Sequence, residues 1–242
     1  MNTTPRATDE TTRVEGIFDR LDFPEQLTAH VVDIGDGRGE RRIAGYAVES
    51  DLAVHHDFIN TAFAALRGEL PTSGERAAFS TALTLLAPVS VAESAGHAAV
   101  LARVVAAPDE VIGAVVASAA GQDAKAELST FAALCAFVDG DGQAPAACVT
   151  TETAAVERYA ALVARSTTWC ATPLPATPAL TSTATAQAVL AKLGFRTTLE
   201  LQALSLFARL PVLFGEARQT AIGSVTTYPT RLPDYHYVEV SR

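Results

Sequence analysis

The stretch Leu66-Arg67-Gly68-Glu69-Leu70-Pro71-Thr72 predicts how this chain folds, because it contains the signals that end one helix and begin another. Glycine is common just after the last turn of a helix, where the backbone becomes left-handed. Proline prevents the helix from continuing, and Thr72 followed by Glu75 has the pattern of a capping box. We call residues 66–72 the corner segment, and we expect it to join two helices through a tight bend.

Apolar residues recur at helical spacing on both sides of the corner segment. Phe58, Ala62 and Ala65 precede it, and Phe79 and Leu83 follow it. The alanine-rich composition also favours helix over strand. The chain is therefore predicted to be mainly α, with further helices over 94–106, from 108 onward with a possible break at Gly121, over 153–165 and 185–193, and from Thr197 with a kink at Pro211.

A short β-hairpin is predicted before these helices, over residues 27–44. Residues 29–32 and Arg42-Ile43 flank a turn that contains Asp36-Gly37, and Asp-Gly is a strong hairpin signal. The same glycines lack the spacing of a phosphate-binding loop. Residues 1–24 are Thr-rich and charged, which predicts a flexible tail.

Composition excludes several classes of function. The 242 residues have a net charge of −9 and no basic run, which argues against binding to nucleic acid or to an anionic membrane. The three cysteines are widely spaced without a CxxC pattern, so no metal site is predicted and reduced thiols in a cytoplasm are expected. No uninterrupted apolar stretch is long enough to span a membrane.

Three ordered matches resemble the citrate synthase and citryl-CoA lyase family. The corner segment is similar to the GELPT corner of that family, and residues 94–121 are similar to its paired central helices. Residues 206–219 resemble the late helix that carries a substrate-binding arginine, here Arg209. In the tail, Arg231 is what remains of a basic Arg-Pro-Arg pattern.

The resemblance implies a multi-helical fold with two domains. The large domain would comprise residues 25–138 and 200–242, and the small domain residues 139–199, with a Pro/Thr-rich linker over 166–184. The family dimerises through its helices, which implies a homodimer or a heterodimer with a citrate synthase-like paralogue. It also implies no cofactor, although a small carboxylate or a CoA thioester is a possible ligand.

The residues that the family uses for chemistry are replaced. Lys125 is the cation nearest the place of the first histidine, and Cys148 stands near the place of the second. Residues 181–184 read Thr-Ser-Thr-Ala where the family has its catalytic aspartate. Because one general acid–base group is typically worth about 10²–10⁴-fold in rate, we expect no standard citrate synthase activity.

Five residues remain candidates for a site. His97, near a substrate-proximal histidine of the family, is either a ligand contact or a half-buried structural histidine. Lys125 is either a carboxylate ligand or a solvated lysine, and Cys148 either a nucleophile or a small buried hydrophobe. Arg209, among apolar residues, needs a carboxylate from a ligand or from the protein itself. Arg231 is the second candidate for substrate binding.

Two functions follow, and the sequence leaves both open. The chain is either a repurposed enzyme that binds a carboxylate or acyl thioester between its domains, for a condensation, cleavage or cyclisation, or a non-catalytic subunit that pairs with an active paralogue. Fold resemblance cannot decide between them, because function depends on the site.

Overall fold

The computed structural model describes residues 31–33, 40–169 and 173–223. Helices dominate this part of the chain, as the sequence predicts, and a short sheet precedes them at the N-terminal end. No helix within these residues is both long and apolar enough to cross a membrane. The helices are α1 (Ala53–His55), α2 (Phe58–Arg67), α3 (Ser73–Leu86), α4 (Ser94–Val104), α5 (Asp109–Glu127), α6 (Phe131–Asp139), α7 (Thr153–Ser166), α8 (Ser182–Lys192) and α9 (Thr198–Gln219).

The predicted hairpin is confirmed where the structure describes it. Strands β1 (Val32–Asp33), β2 (Arg42–Ile43) and β3 (Tyr46–Ala47) form an antiparallel sheet in that order, with Val32 opposite Ile43. The predicted turn at 34–39, and the predicted tail at 1–24, lie outside the described residues.

The corner segment has the predicted geometry. Helix α2 ends at Arg67, and Gly68 follows in the left-handed region with φ of +82°. Thr72 begins α3 with both bonds of a capping box: its hydroxyl oxygen accepts from the backbone N–H of Glu75, and its own N–H donates to the Glu75 carboxylate at 2.8 Å. The bend is thus determined by local signals, as expected.

Helix α5 differs from the prediction, because it continues through Gly121 to Glu127 without a break. Glycine inside a helix costs only about 1 kcal/mol relative to alanine, which tertiary contacts can offset. Here α5 packs against α4 and α9, and the Gln202 side chain donates to the backbone carbonyl of Gly121 at 2.9 Å. The tertiary contacts therefore override the local signal for a break.

Two hydrophobic clusters hold the helices together. The larger one centres on Phe63, Phe79 and Phe195, whose rings lie 5.3–5.6 Å apart. The smaller one joins α4, α5 and α9. The larger cluster includes Leu174 and Leu180, so the described part of the predicted linker is packed into the core. The boundaries of the two domains stay a prediction.

Candidate functional site

A cavity of about 300 Å³ lies where the end of α5 meets the start of α8. Most of its lining residues have polar side chains, although polar and apolar atoms contribute about equally to the wall surface, and Glu127 is the only charged residue among the described residues that line it. We call it the polar cavity; its lining residues are Ala126, Glu127, Ser129, Thr130, Ala147, Cys148, Thr181, Thr183, Ala184 and Gln187.

Backbone pairing brings two of the predicted replacement positions into this cavity. The N–H of Thr181 donates to the carbonyl of Cys148 at 2.8 Å, and the N–H of Thr150 donates to the carbonyl of Ala179 at 3.0 Å. Cys148 therefore lies beside the Thr181–Ala184 segment. Thr181 caps α8 by accepting from the N–H of Ala184 at 3.3 Å, so this segment supplies hydroxyls and no carboxylate.

Cys148 is a buried, free thiol in a short 3₁₀ turn over Ala146–Cys148. Its Sγ lies 3.5 Å from the hydroxyl oxygen of Thr130. Among the described residues that line the cavity there is no histidine, lysine or arginine beside it. Helix α7 begins at Thr153, after Glu152, so Cys148 is not part of its first turn. Cys148 instead lies beside the N-terminus of α8, because its carbonyl accepts the hydrogen bond from Thr181, the N-cap residue of that helix.

Arg209 is buried on α9, and its partner is an internal carboxylate. Its Nη2 donates to both carboxylate oxygens of Glu127, at 2.6 and 2.8 Å, and its Nε donates to the carbonyl of Leu86 at 3.2 Å. Nη1 is buried and has no hydrogen-bond partner. Of the two partners that the sequence left open, the structure therefore contains the carboxylate of the protein itself.

Glu127 is the site residue that sequence reasoning missed. It ends α5, and its side chain is 29% exposed. A buried arginine normally needs a carboxylate partner, so the need for such a residue was visible in the sequence. Which acid meets Arg209 was not visible, because 82 residues separate the two along the chain.

Lys125 lies outside the polar cavity, although it is only two residues from Glu127. It is exposed on α5, and neighbours two apart on a helix point about 200° away from each other. Lys125 therefore projects away from the wall that Glu127 forms.

His97 lies on α4 and lines a different cavity. This second cavity of about 660 Å³ is an open surface depression between α4 and α5, with apolar walls. His97 is exposed there, so the half-buried alternative is wrong. The structure thus does not bring His97, Lys125 and Cys148 together, and Arg231 lies outside the described residues.

The depression beside His97 belongs to an apolar surface that we call the valine face. It consists of Val105, Val111 and Val115, which are 44%, 43% and 41% exposed. All three line the depression, together with Leu101 and Ala98. Contiguous exposed apolar surface of this kind is a feature of interaction sites.

The described part of the chain contains no candidate metal site. Within residues 31–33, 40–169 and 173–223, no three histidine, cysteine, aspartate or glutamate side chains come close enough to hold a metal ion.

Comparison with solved structures shows that the fold is citrate synthase-like. The structure of citryl-CoA lyase from Hydrogenobacter thermophilus matches with a TM-score of 0.56 and 16% sequence identity, covering 89% of this chain and 96% of that chain. At this identity the match establishes the fold alone. No family model and no curated protein matches the sequence.

Proposed function

We propose that this chain is a non-catalytic protein with a citrate synthase-like fold, which pairs through its valine face with another chain of the same fold. The observation that carries the first half is the Arg209–Glu127 pair. The arginine expected to hold a substrate carboxylate is bound to a carboxylate of the protein, and the cavity beside it contains no cation among its described lining residues.

Electrostatics explain why this arrangement disfavours the substrates of the citryl-CoA lyase and citrate synthase reactions. An anionic carboxylate that enters the polar cavity meets Glu127, which has the same charge. To reach Arg209 it must displace Glu127, and breaking a buried ion pair typically costs about 3–5 kcal/mol. The ligand would also have to compete with Glu127, which already accepts from Arg209 through both of its carboxylate oxygens.

Activity measurements test the non-catalytic half. We expect no turnover when the purified full chain is mixed with acetyl-CoA and oxaloacetate, or with citryl-CoA, in assays that detect free CoA and oxaloacetate. Turnover that co-purifies with the chain and is abolished in Cys148→Ser would refute the proposal.

The valine face supports the pairing half. Exposed apolar side chains on two adjacent helices can be buried by the same two helices of a second copy, because a two-fold interface uses the same patch on both chains. The partner is a second copy or a paralogue, and the homodimer is the simpler case.

Oligomeric state tests the pairing half. We expect sedimentation velocity to show a dimer for the full chain and a monomer for the double variant Val111→Glu, Val115→Glu. Val156→Glu is the matched control, since Val156 is a similarly exposed valine (38%) on α7. A chain that is monomeric throughout, both alone and with lysate paralogues, would contradict pairing.

A repurposed enzyme remains the second candidate, because Cys148 lines a cavity that also contains the Glu127 carboxylate. In that function the Cys148 thiol would displace CoA from an acyl thioester, forming an acyl-cysteine and releasing CoA as the free thiol. Intact-mass spectrometry after incubation with acetyl-CoA would then show one acetyl adduct, lost in Cys148→Ser and kept in Cys135→Ser. The non-catalytic proposal expects no adduct.

A further inference from the structure

A separate groove runs beneath α7, where this helix covers α3 and the start of α8. It has a volume of about 310 Å³, and we call it the arginine groove. The residues that carry the argument are Leu85, Arg158, Tyr159, Leu162, Arg165 and Leu180. We propose that the arginine groove binds a medium-chain fatty carboxylate, with the alkyl chain in the groove and the carboxylate at its arginines.

The charge of the groove is opposite to that of the chain. The protein carries a net charge of −9, yet among the described residues that line the groove the charged side chains are Arg158 and Arg165 alone. These arginines are seven residues apart on α7, which places them two turns apart on one face of the helix. Both are exposed, so their guanidinium groups can reach an anion at the mouth of the groove.

The walls of the groove are suited to an alkyl chain. Leu85, Leu162 and Leu180 supply apolar surface. The two buried hydroxyls in the wall are already bonded: Tyr159 donates to the carbonyl of Pro175 at 2.6 Å, and Thr185 donates to the carbonyl of Thr181 at 2.8 Å. They therefore present carbon surface to a ligand, and the arginines are left to bind the polar head.

One of the two cations is held in place before any ligand arrives. The guanidinium carbon of Arg165 lies 5.0 Å from the ring centre of Trp169, in a cation–π contact. This contact reduces the side-chain freedom that binding would otherwise remove. The volume is at the lower end of the range for ligand pockets, roughly 300–1,000 Å³, which favours a medium chain over a long one.

The single tryptophan of the chain makes the proposal directly measurable. Because Trp169 is buried against Arg165, its fluorescence reports on the groove. We expect octanoate, below its micellar concentration, to change Trp169 emission saturably in the full chain. 1-Octanol should bind at least 10-fold more weakly, and acetate should cause no change. Equal binding of octanol and octanoate, or no binding of octanoate, would overturn the proposal.

Variants locate the binding site. We expect isothermal titration to show octanoate binding weakened at least 5-fold in Arg158→Gln and in Arg165→Gln, but unchanged in Arg218→Gln, which removes an exposed arginine from a different cavity. Ala161→Phe, at an exposed position in the groove wall, should also weaken binding by filling the space. Circular dichroism confirms that each variant folds. Affinity unchanged in both the groove arginine variants and Ala161→Phe would refute the site. The proposal is independent of the pairing and of the loss of catalysis.

Discussion

The polar cavity and the arginine groove have nearly the same volume, about 300 and 310 Å³, but their charges are arranged in opposite ways. At the polar cavity, Arg209 is buried and bonded to Glu127. The charged group that faces the cavity is therefore the Glu127 carboxylate, which is already paired with this arginine. At the arginine groove, Arg158 and Arg165 are exposed, and no acid lies among the lining residues that the structure describes. An arginine is therefore available to bind an anionic ligand only where no carboxylate of the protein is already paired with it.

The largest effect on stability is expected from breaking the ion pair between Arg209 and Glu127. Arg209→Met leaves the partly buried carboxylate of Glu127 without its partner, so we expect a loss of about 3 kcal/mol in the free energy of unfolding. The double variant Arg209→Met, Glu127→Gln should recover at least half of it. Urea denaturation measures both values.

Arg76→Met is the matched control for this prediction. Arg76 pairs with Asp57 at the surface, where both side chains are more than 40% exposed, so its loss should cost less than about 1 kcal/mol. If Arg209→Met costs no more than Arg76→Met, the Arg209–Glu127 pair is not a structural element and the contrast between the two cavities fails.

A smaller effect is expected from the wall of the arginine groove. Tyr159→Phe removes the hydrogen bond to the carbonyl of Pro175 and leaves that carbonyl without its donor, at a cost of about 1–2 kcal/mol. Tyr46→Phe should cost less, because the Tyr46 hydroxyl accepts only a long bond of 3.4 Å from the N–H of Leu70. Thermal unfolding at neutral pH compares the two variants.

The same phenol predicts a pH dependence. Burial raises the pKa of Tyr159 from 10 to about 12, so the folded state binds its proton more tightly than the unfolded state. The stabilisation is fully present below pH 10 and is lost as the pH rises towards 12. Tyr159→Phe should lack this alkaline loss. Unfolding midpoints of equal pH dependence in both proteins would contradict the assignment.

The smallest effect is expected at the mouth of the arginine groove. Arg165→Gln removes the contact with Trp169, which at an exposed site is worth about 0.5–1 kcal/mol, and should alter the Trp169 emission without ligand. Arg158→Gln should change neither stability nor emission, because no hydrogen bond or ion pair involves Arg158 in the described structure. An unaltered emission in Arg165→Gln would show that Arg165 is not held against the ring.

Features that depend on neighbouring residues were predicted correctly, whereas features that depend on contacts between distant segments were not. The corner segment was predicted correctly because Gly68, Pro71 and the Thr72–Glu75 capping box act within a few residues. The helix predicted from Thr197 begins there for the same reason, because Thr197 and Glu200 form a capping box. The break at Gly121 was wrong because the contacts that stabilise α5 come from α4 and α9, which are distant in sequence.

The candidate site was predictable only in part. The sequence identified Cys148 and the Thr181–Ala184 segment as replacements, and backbone pairing brings them to one cavity. It assigned Lys125 to the same region, but the helical rotation between residues 125 and 127 turns Lys125 away. The roles of Lys125 and His97 therefore stay predictions, and the two residues do not lie in the same cavity.

From the sequence we predicted the helical class, the strands of the hairpin and the bend at the corner segment, and the structure confirms all three. Each of these depends on residue type and short-range spacing. The pairing of Arg209 with Glu127, and the absence of an acid among the described residues that line the arginine groove, became visible only in the tertiary structure. The physical reason is that the charge of a site is a sum over side chains that folding brings together, and that sum cannot be read from any one segment.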